Sequence, residues 1–293
     1  RHMMTLIGDF LDTHASKIWG PKRDQTPKHL TESISKVEIF LSYDGNHLKH
    51  FSDIKARDII DFGHWLRDER GVSENTLNHY KAAISAIFTY AIDYEEISED
   101  QMPRIKFKKV QTSDPVYYTP AQIKLIQDYL AGCKNKWLLH MFNIGLLTGM
   151  RRGEIWSVTR KNITWIDGEM FIHLPHTKNG FSRDVPVSVA TKREFDAVDW
   201  AFPKTRGKGL FPEGAHRDAW KEIRRVICDN KKMSVFHATR HTAASILTNE
   251  MGTSLALVAD MLGHKDLATT KKYVHVAPQT LTGLANGLAN RSL

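Results

Sequence analysis

The chain is poor in thiols and in long apolar runs. Of its 293 residues only two are cysteine, Cys133 and Cys228, and no C-x-x-C pair occurs. That argues against a disulfide framework or a cysteine-based zinc site, and it fits a reducing compartment. No apolar stretch approaches the roughly 20 residues that cross a bilayer, and no secretory signal pattern opens the chain. Arg1-His2-Met3 reads as a cloning remnant, so the natural start is expected at Met3, at Met4 or further upstream. No cluster of carboxylates suited to Mg²⁺ is visible. These absences lead us to expect no metal, no cofactor and no membrane partner, with the cytoplasm as the working compartment.

Negative charge is scarce in one part of the chain. Lys and Arg number 41 against 33 Asp and Glu, a formal charge of +8. Residues 1–110 hold 16 Lys+Arg and 17 Asp+Glu, a net of −1, whereas residues 111–293 hold 25 and 16, a net of +9. A basic half of this kind suits a polyanionic partner.

The first 100 residues read as four helices, at 4–19, 28–42, 55–70 and a last one after Ser73. Gly71 ends the third helix, and Ser73 is placed to cap the next. The fourth carries Leu77, Tyr80, Ala83, Ile84, Ile87, Phe88, Ala91 and Ile92 at helical spacing. Its opposite face offers Asn75, Asn78, His79, Lys81 and Ser85. A basic stretch, Arg104-Ile105-Lys106-Phe107-Lys108-Lys109, opens a linker expected over 104–116. Lys106 and Lys108 join Asn75, Asn78, His79 and Lys81 as candidate contacts to such a polyanion, which the resemblance described below implies to be DNA. For each of them, ordinary solvated surface is the competing reading.

Beyond the linker, Thr119-Pro120 opens a helix over 121–131. An apolar helix at 136–147 ends at Gly149, and a short helix restarts over 153–158. The one clear β pattern follows. Residues 163–166 and 169–174 flank Asp167-Gly168 as a hairpin, Lys178-Asn179-Gly180 makes a second turn, and 182–187 is a third strand that Pro186 marks as an edge. Helices are expected again at 190–201, 214–229, 237–250, 254–262 and 268–275. Leu281, Leu284 and Leu288 give residues 278–290 the pattern of an amphipathic tail. The fold class is mainly α (α+β), with an all-α N-terminal domain and a mixed domain holding a small three-stranded antiparallel sheet.

Chemistry-bearing residues recur in a fixed order. Thr148-Gly149-Met150-Arg151-Arg152-Gly153-Glu154 comes first, then Lys178 on its turn, then His237-Ala238-Thr239-Arg240-His241, then Leu262-Gly263-His264, and nine residues later Tyr273. His237 and Arg240 stand three apart on one helix. Arginines bind phosphate oxygens in bidentate fashion. His237 and His241 have the spacing of a helical zinc pair, but an H-E-x-x-H protease needs Glu where Ala238 stands.

In this order the residues resemble those of the tyrosine recombinases of the phage-integrase type. That family shows T-G-[apolar]-R-x-x-E, a lysine on a β-turn, H-x-x-R, L-G-H and then a nucleophilic tyrosine. The resemblance covers at least residues 115–280 and extends more weakly to the N-terminal third. It implies a core-binding domain at 1–103, the linker at 104–116 and a catalytic domain at 117–293, clamping opposite faces of a DNA duplex. It further implies cutting and rejoining of DNA through a 3′-phosphotyrosine at Tyr273, without ATP. Arg151 and Arg240 would clamp the phosphate and His264 would add a donor. His237 would serve as base, Lys178 as general acid, and Glu154 would orient a neighbour; Arg152 has no assigned role.

The partners implied are double-stranded DNA at attachment or crossover sites, a homo-tetramer that exchanges C-terminal segments such as 278–290, and accessory DNA-bending proteins, all at the nucleoid of a bacterial host. A phage or mobile-element integrase is the leading expectation. The rivals are a Xer-like chromosome or plasmid recombinase, a type IB topoisomerase and a non-cutting DNA-binding regulator. The small arm-binding domain that many integrases carry in front is not seen in this sequence.

Overall fold

Helix starts follow capping chemistry. Ser73 Oγ accepts from the Thr76 amide, Thr119 Oγ1 from that of Gln122, and Ser234 and Ser254 cap two further helices in the same way. The computed structural model describes residues 5–20, 27–110, 114–175, 182–201, 215–231, 233–264 and 267–271. It divides into two compact units, Arg1–Thr112 and Ser113–Leu293.

Among the described residues the first unit holds four α-helices: α1 (Ile7–Ile18), α2 (Pro27–Ser42), α3 (Ala56–Asp68) and α4 (Glu74–Asp93). The α4 stripe read from the sequence is its buried face, from Leu77 to Ala91. It meets Phe10, Phe40, Phe51 and Phe62 in one apolar core, with Phe51 and Phe88 packed edge-on at 5.0 Å. Between α2 and α3 the chain runs through two short 3₁₀ turns, Tyr43–Leu48 and Phe51–Asp53, which apolar periodicity did not signal. Asp44 and Gly45 both take positive φ there, and the buried Asn46 side chain donates to the Phe40 carbonyl at 2.9 Å. Those features break a helix rather than extend it.

After α4 the chain returns along that helix. Asn78 donates Nδ2–H to the Lys108 carbonyl (2.7 Å) and accepts from the Lys108 amide (3.3 Å), and Lys81 Nζ donates to the Lys106 carbonyl (2.8 Å). Two of the side chains considered for DNA contact are therefore clasps for the basic stretch.

The second unit opens with α5 (Pro120–Gly132) and the buried α6 (Trp137–Thr148), followed by α7 (Arg152–Ser157). The sheet is β1 (Ile163–Ile166), β2 (Glu169–Leu174) and β3 (Arg183–Pro186), antiparallel in the order β1-β2-β3, with Ile166 opposite Glu169 and Leu174 opposite Arg183. Asp167 and Gly168 both take positive φ (51° and 83°), as a type I′ hairpin turn demands. Helix α8 (Val189–Asp196) stops short of the expected 201. Asp199 and Trp200 adopt positive φ and fold the Trp200 ring back onto Phe195 at 4.5 Å, where it is buried. The remaining helices are α9 (Ala215–Glu222), α10 (Val235–Ser245), α11 (Leu255–Leu262) and α12 (Leu267–Lys271); α9 and α10 each end in a wider π turn.

Helix α6 is the spine of this unit. Met141, Phe142 and Ile144 are fully buried. Gly145 lets α10 approach closely, since a Cβ there would lie 2.7 Å from Thr239 Oγ1. Tyr118 secures the start of the unit to α10: its hydroxyl donates to the Val235 carbonyl (2.7 Å) and its amide to Thr242 Oγ1 (2.8 Å).

Candidate active site

The site is built where α6 ends. Gly149 closes that helix in the left-handed conformation (φ 63°), and a Cβ on it would lie 2.3 Å from Leu262 Cδ2. The turn therefore seats directly against the end of α11. Thr148 steadies it, donating to the Ile144 carbonyl and accepting from the Met150 amide. Two residues on, Arg151 is the N-cap of α7. Its amide donates to Glu154 Oε2 (2.8 Å), its Nη1 to Glu154 Oε1 (2.8 Å) and its Nη2 to the Gly263 carbonyl (3.3 Å).

Arg240 reaches the same place from α10. It is buried, with Nη1 donating to the Gly149 carbonyl (2.8 Å) and Nη2 to the Leu262 carbonyl (2.6 Å). The two guanidiniums thus hang on neighbouring carbonyls of one chain turn, Leu262 and Gly263. His264 follows at once, its Nδ1 paired with the buried Thr270 Oγ1 at 2.8 Å. Burial, and then the charges of Arg240, Arg151, Arg183 and His241, push the His264 imidazole down to about 4, so it is neutral at pH 7. The fold brings Arg151, Arg240, Glu154 and His264 together.

Glu154 is the anionic centre of this group. Arg183 on β3 grips it with two bonds, Nη1 to Oε1 (2.9 Å) and Nη2 to Oε2 (2.8 Å). Burial raises the Glu154 carboxyl pKa, but the bonds and charge of Arg183, and then the bonds from Arg151, outweigh it and hold the pKa below its ordinary value. Arg183 was not singled out in the sequence. A lone arginine on a strand carries no spacing signal, and its partner lies 29 residues away.

His237 is exposed on the first turn of α10, with its ring 5.7 Å from that of His241. Lys178, Tyr273 and the tail 278–290 lie outside the described residues. Among the described residues no three His, Cys, Asp or Glu side chains converge as a metal site, and no helix is long and apolar enough to cross a membrane. Of the candidate DNA contacts in the first unit, Asn75, His79, Lys106 and Lys108 are exposed, while Asn78 and Lys81 are half-buried in the clasp.

Residues 117–280 match the Phage integrase family, and residues 6–110 match the Phage integrase SAM-like domain. The chain belongs to the phage integrase family. It is a tyrosine recombinase, an enzyme of site-specific DNA recombination. Tyrosine recombinase XerD of Vibrio cholerae is 25% identical, over 96% of this chain and 95% of its own. Among solved structures, the Tn1549 transposon integrase bound to a circular intermediate DNA superposes with a TM-score of 0.69 at 19% identity, covering 97% of this recombinase and 99% of that chain. A lambda integrase tetramer bound to a Holliday junction gives 0.70 at 17% identity, over 94% and 78%. The mainly helical fold with its small antiparallel sheet is the fold of those integrases.

Proposed function

We propose that this recombinase is a phage or mobile-element integrase whose cutting site is Arg151, Lys178, His237, Arg240, His264 and Tyr273. The observation that carries the reading is the pair of arginines held against consecutive carbonyls, Leu262 and Gly263, with neutral His264 beside them. Fixed cations of this kind stabilise charge that develops on the non-bridging oxygens of a phosphodiester at the transition state, usually the largest catalytic contribution. Because the carbonyls and Glu154 fix the guanidiniums beforehand, little reorganisation is needed when charge appears.

In the proposed reaction Tyr273 Oη attacks phosphorus in line with the leaving 5′-oxygen. His237 takes the phenol proton, since a phenol of pKa about 10 is mostly protonated at neutral pH. Lys178 donates a proton to the leaving oxygen. His264 donates a hydrogen bond to a phosphate oxygen and, being neutral, does not act as a cation. The 5′-hydroxyl of a second strand then attacks the phosphotyrosine, reversing these proton transfers, so bond energy is conserved without ATP.

Residues 1–103 serve as the core-binding domain, 104–116 as linker and 117–293 as catalytic domain. Asn75, His79, Lys106 and Lys108 contact the duplex, and Asn78 and Lys81 act indirectly by holding the linker. The working form is a homo-tetramer on attachment or crossover sites in the host cytoplasm, at the nucleoid, aided by DNA-bending proteins. The test is strand exchange. Chromosomal DNA that becomes covalently attached to the protein is sequenced, and the recurrent site is placed on two duplexes. Exchange between them, with the site lying at the end of a mobile element, supports the integrase. A site shared by chromosomes or plasmids that resolve dimers would make it Xer-like, and relaxation without exchange would make it a topoisomerase.

A further inference from the structure

Arg183 stands at the meeting point of three elements that bear candidate catalytic residues. It begins β3, directly opposite Leu174 of β2, so the connection between these strands, in which Lys178 falls in sequence, leaves from it. Its guanidinium holds both oxygens of Glu154, which in turn holds the amide and Nη1 of Arg151 at the start of α7. It also lies under the end of α11. Gly263 has φ 68°, and a Cβ there would come within 2.6 Å of Arg183 Nη1, so the residue before His264 is packed onto this side chain. The Arg183 and Glu154 side chains are only 9% and 10% exposed. A buried carboxylate shared by two arginines passes a displacement of either one to the other.

We propose that Arg183 is a positioning residue for the phosphate clamp, tying the β2–β3 hairpin to Arg151 through the shared carboxylate of Glu154. This rests on the recombinase reading of the site. Arg183 gives both terminal nitrogens, Nη1 and Nη2, to Glu154. Its role is to keep Glu154 ionised and oriented, and so to keep Arg151 at a fixed angle while the hairpin stem stays in register with α7.

The role has a pH signature that a merely structural residue lacks. Glu154 faces Arg151 on its own helix and Arg183 on β3; the same two arginines, with Arg240 on α10 and His241, act on His264 at the end of α11. Without Arg183, burial is opposed only by Arg151 and the carboxyl pKa rises. Protonation then releases Arg151. His264 is lowered to about 4 chiefly by burial and then by Arg240 and Arg151, with Arg183 a lesser cause, so those larger causes keep it below its ordinary value in the Arg183 variants as well. Ionisations common to wild type and variant cancel in their ratio.

The experiment uses the full chain and a duplex bearing the site recovered from wild-type covalent attachment. Covalent linkage and duplex binding are both measured from pH 6 to 9. Arg183→Met is expected to bind the duplex within about threefold of wild type, yet to link at least tenfold more slowly at pH 7, with the ratio to wild type worsening toward pH 6. Arg183→Lys keeps a charge but not the fork and is expected to fall between the two; it also serves if the methionine variant does not fold. Glu154→Gln is expected to link slowly at every pH, and adding Arg183→Met to it to cost nothing more. Wild-type rates in the Arg183 variants, a loss that is the same at every pH, or effects that multiply with Glu154→Gln would each overturn the proposal. Absence of linkage in the wild type would remove the recombinase reading of the site, and this inference with it.

Discussion

Two glycines four residues apart are expected to respond oppositely to the same substitution. Gly149 has φ 63°, and a Cβ would sit 2.3 Å from Leu262 Cδ2 and 3.5 Å from the Ala243 Cβ. An alanine there pays about 1–2 kcal/mol for the left-handed backbone and about 1–3 kcal/mol for overpacking. Reduced entropy of the unfolded chain returns about 0.4–1 kcal/mol. The net expectation is a loss of about 1–4.5 kcal/mol. Gly153 lies inside α7 with nothing within 4 Å of its Cβ position, so alanine there gains about 0.5–1 kcal/mol. Urea unfolding followed by tryptophan fluorescence reads the difference, since five of the seven tryptophans belong to the second unit. With a slope of about 2 kcal/mol/M, Gly149→Ala lowers that unit's midpoint by about 0.5–2 M, and Gly153→Ala leaves it unchanged or raises it. Gly149 also gives its carbonyl to Arg240, so Gly149→Ala should slow covalent linkage even where the protein remains folded. Equal midpoints for the two variants would refute the close seating of the α6 turn against α11.

Three further outcomes are expected. Tyr118→Phe removes the hydroxyl that donates to the Val235 carbonyl at 2.7 Å and should cost the second unit about 0.5–1.5 kcal/mol by urea titration. His264 has a folded pKa of about 4 against an ordinary 6.5, so the unfolded chain takes up the proton first. Its contribution to stability is complete above pH 6.5 and is lost as pH falls toward 4; subtracting the midpoints of His264→Gln from those of wild type between pH 7.5 and 4.5 should isolate that decline. Asn78→Ala frees the Lys108 backbone from α4, so limited trypsin digestion should cut after Lys106 and Lys108 several-fold faster, with the first unit's urea midpoint nearly unchanged.

What the sequence disclosed follows from how local each signal is. The α4 stripe, the Ser73 and Thr119 caps and the Asp167-Gly168 turn depend on neighbours within a few residues, and each appears in the structure as expected. The turns at 43–53 escaped because Asp44 and Gly45 interrupt the helix by dihedral angle, without any apolar periodicity to mark them. Trp200 escaped because its fold-back onto Phe195 depends on positive φ in a segment whose composition reads as helix. In the site, the order of Arg151, Arg240 and His264 was legible because each sits in a compact motif. The carbonyls of Gly149, Leu262 and Gly263 that hold them were not, since backbone acceptors have no residue signature. Arg183 was hidden for a related reason: its meaning is entirely in the partner that folding brings to it. Asn78 and Lys81 carried a polar-face signal, and the carbonyls that satisfy it lie 30 and 25 residues further along the chain.

The proposed function turns on a covalent bond between Tyr273 and DNA at a phosphate clamped by Arg151 and Arg240. Its most direct test is to incubate the wild-type protein and Tyr273→Phe with chromosomal DNA of the source organism, denature, and sequence the DNA that remains attached. Recurrent attachment at one sequence is expected, through a 3′-phosphate on Tyr273 identifiable by mass spectrometry of the linked peptide, and none with the phenylalanine variant. Equal attachment in both, or attachment through another residue, would contradict it.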